Sequence, residues 1–235
     1  MFTADPRVVT KARKLDKITY SEMLEMASSG AEVLHPRAVE IAWKYGLRMQ
    51  VLSSLNDTPG TLLVNEDEIM EDHKITGITG SSNICTYVLS KVNTDSLSQA
   101  KIFEGLKAAN VNVDMIVQNY SNDNLEHNMT LTIPKNESDV AHKAFSEMSG
   151  VYFSGFNAND NIAKISITGI GMKSSAGIAQ KMFHILADKG INILVISTSD
   201  IKISVLIPSE YMELAMRSLH TAFELDNEKI SNEVN

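Results

Sequence analysis

The sequence predicts an α/β protein in which two ferredoxin-like βαββαβ units follow a smaller layered segment, and three observations carry that reading. The first is an internal repeat. AKIFEGLKAANVNVDMIVQN, from Ala100, lies over QKMFHILADKGINILVISTS, from Gln180, at an offset of 80 residues. Lys101 then falls on Lys181, Phe103 on Phe183, Leu106 on Leu186, Asn112 on Asn192 and Ile116 on Ile196. MTLTIP, from Met129, falls on ISVLIP, from Ile203, at an offset of 74, with the longer hairpin in the first copy. The second observation is the order within each copy: strand, helix, strand, strand, helix. The strand openers are NICTYVLSKV and IAKISITGIG, and the closing helices are SDVAHKAFSEM and EYMELAMRSLHTAF. Two further strand candidates, KITGITG and GVYFSGF, give each copy a fourth strand and so a split βαββαβ unit. Local pattern does not say which copy takes which of the two strands, and an interleaved arrangement stays open. The third observation is that the first 65 or so residues read helix, helix, strand, strand, half of a layered α/β domain.

Each element has a local reason. SEMLEMASSG is a short helix with Ser21 as its cap and Gly30 as its stop. HPRAVEIAWKYG is a second helix, with Pro36 at the first helical position, Gly46 at the end, and Val39, Ala42 and Trp43 on one apolar face. RMQVLSS and TLLV are strands joined through the turn residues NDTPG. In each repeat the helix after the first strand is long enough to cross over between parallel strands. These helices cover one sheet face and leave the other for a neighbouring unit. The expected domain boundaries are 1–66, 67–150 and 151–228, with a charged tail at 229–235.

Composition narrows the function. A formal net charge of -8 argues against a nucleic-acid surface, which needs clustered Lys and Arg. No apolar run approaches the ~20 residues of a membrane span. The first residues lack a basic start followed by an apolar stretch. Cys85 is the one cysteine, which fits a reducing cytoplasm, and its strand neighbours make it a small buried hydrophobe. The six histidines show no metal-ligand spacing, and there is no GxxxxGK[ST] loop. No metal-ligating or catalytic set is assigned. GIGMKSSAG, Gly169 to Gly177, runs from a strand into a helix but lacks dinucleotide-loop spacing. Its N–H groups are expected to face outward, where they suit a carboxylate such as that of an amino acid. The equivalent place in the first copy holds Asn93, Thr94 and Asp95. Beside these loops run Asn112, Val113, Asp114, Gln118 and Asn119 in the first copy, and Asn192, Ser197, Thr198 and Ser199 in the second. Together they offer donors and acceptors for a zwitterion. The competing reading is local hydrogen bonding at a sheet edge.

With the repeat and the opening in view, the sequence resembles the C-terminal part of an aspartokinase. FTADPRVVTKARKLDKITYSEMLEMASSGAEVLHPRAVEIAWKYGLRMQVLSSLNDTPGTLL resembles the end of that family's kinase domain, while VNVDMIVQN and GINILVISTSDIKISVLIP resemble its two ACT domains. The resemblance implies the C-terminal fragment of an amino-acid-kinase fold followed by tandem ACT domains. It implies transfer of phosphate from ATP, with Mg, to the side-chain carboxylate of aspartate by the complete family enzyme. It implies feedback binding of lysine or threonine, and a homodimer through ACT domains. Phe2, Thr3, Ala4, Asp5, Pro6 and Arg7 carry over as a piece of the nucleotide site. The family's N-terminal Lys-Phe-Gly-Gly segment does not occur in these residues, so no autonomous activity and no retained cofactor are expected. Glu32 stands where the family has a lysine before VLHPR, and a carboxylate there repels phosphate. The first copy's NTDSLSQ lacks the family's Pro-Gly, whereas GIGMKSSAG and STSDIKIS keep its pattern. The resemblance leaves three readings: a regulatory chain, one half of a split kinase completed by a separate N-terminal chain, or a remnant without function.

Overall fold

The computed structural model describes residues 1–55, 57–69, 75–93, 95–120, 126–172 and 177–227. It is mixed α/β and divides into two compact units, residues 1–81 with 164–235, and residues 82–163.

The leading segment runs β1 (Lys17–Thr19), α1 (Tyr20–Ser28), α2 (Pro36–Lys44), β2 (Met49–Val51) and β3 (Thr61–Val64). Its sheet has the order β1-β3-β2, with β1 parallel and β2 antiparallel to β3. The cap of α1 is Thr19, two residues ahead of the expected Ser21. Thr19 Oγ1 accepts from the N–H of Glu22, and the Glu22 carboxylate accepts from the N–H of Thr19. The spacing Thr19-x-x-Glu22 supplies both halves of a capping box, which Ser21 does not. As expected, α2 starts at Pro36 and its chain leaves through Gly46 at φ +60°. Ile18, Met23, Met26, Val39, Ala42 and Leu63 form the core of the segment. Fully burying each large apolar side chain among them stabilises by ~2 kcal/mol. Trp43 departs from the apolar face assigned to it. It is 45 % exposed and stacks on Tyr20 with ring centroids 6.4 Å apart.

Next in the chain come β4 (Gly77–Ser81), β5 (Ile84–Asn93), α3 (Ser96–Ala108), β6 (Ile116–Tyr120), β7 (Glu126–Pro134), α4 (Ser138–Met148) and β8 (Gly155–Asn159). Of these, β5 to β8 make one antiparallel sheet in the order β6-β7-β5-β8. Its helix side is filled by an aromatic cluster in which Tyr87 and Phe145 centroids lie 4.8 Å apart and Phe156 lies 5.7 Å from Phe145. Tyr87 Oη donates to the carbonyl of Ser138 at 2.8 Å, so its polar end is satisfied. Cys85 is buried in the same core, as its strand neighbours imply.

The chain continues through β9 (Ile162–Thr168), α5 (Ile178–Asp188), β10 (Val195–Thr198), β11 (Lys202–Pro208) and α6 (Met212–Ala222). The second sheet has the order β10-β11-β9-β4. Its fourth strand is therefore β4, GITGS, which overlaps the candidate KITGITG and precedes the first module in sequence, and the first module closes on GFNAN, which a contiguous division at 150/151 gives to the second. The register is Gly77↔Thr168 through Ser81↔Lys164 for β4 on β9, and Thr86↔Asn159 through Ser90↔Gly155 for β8 on β5. The first module is therefore one contiguous run, inserted in sequence between β4 and the remaining strands of the second module. Gly80 shows how closely β4 is built into the second module: a Cβ there would fall 2.5 Å from Met216 Sδ of α6. The repeat also survives in burial, since Ile102 and Leu106 of α3 and Met182 and Leu186 of α5 are all buried.

Candidate functional site

In the first module α3 starts where β5 ends, so the end of one strand and a helix N-terminus meet. Asp95 caps α3, accepting from the N–H of Ser98 at 2.8 Å, and hydrogen bonding from Ser98 holds its carboxyl below the usual carboxylate range. Asn93 reaches Ser98 Oγ and the carbonyl of Val151, both at 3.4 Å. One turn into α3, Gln99 points its amide nitrogen at Nε2 of His127, 3.4 Å away, and Gln118 on β6 hydrogen-bonds to the same Nε2. Two side-chain amides therefore converge on one ring nitrogen of His127. The structure thus brings Asn93, Asp95 and Gln118 to one end of the sheet, together with His127 and Gln99, which sequence reasoning missed. Thr94 lies outside the described residues. Asn119 pairs with Asn128 in the strand ladder.

Asn112, Val113 and Asp114 lie at the other end. Asn112 is clamped by Glu137, with its N–H 2.6 Å and its side-chain amide 2.8 Å from the two carboxylate oxygens. Asp114 donates its N–H to the carbonyl of Thr132, which stands opposite Thr86, while Asn93 stands opposite Glu126. Seven residues of strand separate the two levels, roughly 20 Å, more than one free amino acid spans.

In the second module Asn192 lies three residues ahead of β10 and Ser199 one residue past its end. Ser197 stands opposite Ser204, whose Oγ lies 2.7 Å from Ser166 Oγ, and Ser166 stands opposite Thr79. A row of hydroxyls therefore crosses all four strands. Thr198 pairs with Ile203, and the N–H of Ser199 closes a turn on the carbonyl of Lys202 at 2.8 Å. In the loop from Gly169 to Gly177, residues 173–176 lie outside the described residues. The N–H of Ile170 does not face outward as expected: it donates at 3.0 Å to Oε1 of Glu22, from α1. The same oxygen accepts from Thr76 Oγ1 at 2.5 Å. Glu22 is 2 % exposed. One turn along α1, Glu25 pairs with Lys202 at 2.6 Å.

Residues 2–7 face two ways. Thr3 and Ala4 are buried, and Phe2, Pro6 and Arg7 are exposed. Thr3 takes its carbonyl to the N–H of Ile78 on β4 at 2.8 Å, and its Oγ1 accepts from the N–H of Arg13 at 2.9 Å. Its hydroxyl is also hydrogen-bonded to Nε2 of His220 on α6, 2.8 Å away. Asp5 accepts from the N–H and guanidinium of Arg7, which holds its carboxyl below the usual range. Arg7, the segment's cation, is thereby engaged, so no phosphate step is derived through these residues. Among the described residues no group of three or more metal-ligating side chains gathers.

A βαββαβ module repeated in tandem, each copy with polar residues at the strand end beside a helix start, defines the class: a protein with ACT modules joined to an amino-acid-kinase segment. The ACT domain profile matches residues 91–148 and 165–223, and that of the amino acid kinase family matches 1–53. The aspartate kinase Ask_LysC of Stutzerimonas stutzeri is 47 % identical over 228 residues, covering 96 % of this chain and 55 % of the relative. The regulatory subunit of aspartate kinase from Thermus thermophilus is 32 % identical, with 64 % of this chain and 99 % of that one covered and a TM-score of 0.60. Aspartate kinase from Clostridium acetobutylicum superposes with a TM-score of 0.84 over 94 % of this chain and 52 % of its own, at 26 % identity. The chain belongs to the aspartokinase family. It spans about half the length of the curated relatives it matches. Among the described residues no helix is long and apolar enough to cross a membrane.

Proposed function

We propose that these residues are the amino-acid-sensing part of an aspartokinase. An end-product amino acid, lysine or threonine, binds at the ACT modules, and the modules pair between two copies of the chain. The observation that carries this reading is the gathering of Asn93, Asp95, Gln99, Gln118 and His127 at one strand end of the first module, with Ser197 to Ser199 at the corresponding end of the second. Such a set offers both acceptors for an ammonium and donors for a carboxylate. Phosphate transfer from ATP to aspartate belongs to the complete family enzyme; a polypeptide of these 235 residues alone is expected to show none.

Calorimetry with L-lysine and L-threonine, beside sizing chromatography, tests the proposal. A dimer whose melting temperature rises with one of the two supports it. A monomer that takes up neither overturns it.

A second reading is favoured by the surface of the leading segment. Val33, Ile41, Tyr45, Leu47, Leu52 and Leu55 are all more than 40 % exposed there. A companion amino-acid-kinase polypeptide covers such a face, and co-expression with one, read by co-purification, is its test.

A further inference from the structure

We propose that helix α1 couples the amino-acid-kinase segment to the second ACT module, with Glu22 as the positioning residue. The inference deepens the sensing role proposed above and rests on it for its ligand arm alone. Four donors converge on the Glu22 carboxylate. Oε2 accepts from the N–H and Oγ1 of Thr19, at 3.2 and 2.8 Å; Oε1 accepts from Thr76 Oγ1 and from the N–H of Ile170, at 2.5 and 3.0 Å. The donors come from three places in the chain: the cap of α1, the approach to β4, and the turn Ile170–Met172 that follows β9. On the same helix face Glu25 holds Lys202, which closes the turn after β10. The N–H of Gly169 donates to the carbonyl of Ile201 at 2.9 Å, so the two turns are themselves joined. Both turns that flank the candidate site of the second module thus rest on one side of α1. The same helix supplies Met23 and Met26 to the core around Ile18, Val39 and Leu63.

A carboxylate buried to this degree is tolerated only while its donors stay in place. Drawing the turn 170–172 away leaves the charge one donor short in a dry setting. The lower-energy course is for α1 to follow the turn, and its buried methionines carry that shift into the three-stranded sheet. Ligand binding that reshapes the turn is in this way felt in the kinase segment.

Hydrogen exchange on the 235-residue protein and on Glu22→Gln tests this. Glutamine keeps the shape but presents a donor where two donors now converge. Without ligand, the Ile170 amide and the first turn of α1 are expected to exchange together about tenfold faster in the variant, as follows from losing a hydrogen bond to a charged group. Amides of β5 and β7 are expected to be unchanged. With L-lysine or L-threonine, the native protein is expected to gain protection in 169–172 and in 20–28 together, and the variant in 169–172 alone. Unchanged exchange at Ile170 without ligand overturns the coupling, whatever the ligand does. Equal ligand-linked protection of 20–28 in both proteins overturns it as well. Binding of neither amino acid overturns the sensing role and leaves the ligand-free arm to decide the coupling. Should Glu22→Gln not fold, Glu25→Gln carries the same comparison through the part-exposed Lys202 contact, read at 199–202.

Discussion

Replacing Ile78 by alanine separates the inserted arrangement from a contiguous division. Ile78 is fully buried on β4, opposite Ile167, and precedes every residue of the first module. The substitution removes three carbons from a closed site. At ~0.8 kcal/mol each the transfer loss is about 2.4 kcal/mol, and the cavity left behind brings it to about 3 kcal/mol. That loss falls on the second module, because β4 belongs to its sheet. The matching change is Phe156→Ala on β8, whose ring lies 5.7 Å from Phe145 and 5.9 Å from Tyr87. It is expected to cost the first module about 3 kcal/mol. Hydrogen exchange by mass spectrometry reads the two separately. Ile78→Ala is expected to speed exchange in 162–168 and 203–207 and to spare 84–93 and 129–133; Phe156→Ala is expected to do the reverse. Ile78→Ala loosening 84–93 while leaving 203–207 protected would refute the assignment of β4 to the second module.

Two further outcomes follow from single residues. Thr19→Ala removes the side-chain cap of α1 and one of the four donors to Glu22, the hydroxyl, and is expected to lower denaturant-measured stability by about 1–2 kcal/mol. His220 has its pKa lowered, first by burial and then by Arg13, against an opposing pull from Asp226. A depressed histidine pKa means that the unfolded chain takes up a proton which the folded one refuses. Stability is then fully present above the unfolded value near 6.5 and falls as pH drops toward the folded one. Melting temperature is expected to decline from pH 7 to pH 5, and His220→Gln to flatten that decline relative to the native protein.

The repeat, the α/β class and the helices of the leading segment were legible because each rests on local pattern: apolar spacing, Pro36 at a helix start, Gly46 past an end. The capping box at Thr19 was also open to reading from its threonine and glutamate three apart. The insertion of one module into the other was not. GITGS and GFNAN are both short and glycine-bearing, and such strands carry little pattern of their own to specify a partner. Neighbouring polar residues likewise look like one set in sequence, yet Asn112, ahead of β6, is held by Glu137, 25 residues on, and Gln118, within β6, by His127, nine residues on. Glu22 and Lys202 gave no functional signal, since surface helices and turns are full of such charges. Their meaning comes from burial and from donors far off in the chain.

Ser81 stands opposite Lys164, so residues 82–163 are inserted in sequence, as a guest, between two paired residues of their host sheet. On the ribosome β4 emerges well before β9 exists. At 5–20 residues per second the interval is on the order of ten seconds. Throughout it the nascent chain holds an unpartnered strand while the guest completes itself from its own residues. The host closes last, which makes the birth order of the two modules the opposite of the order in which their first strands are written.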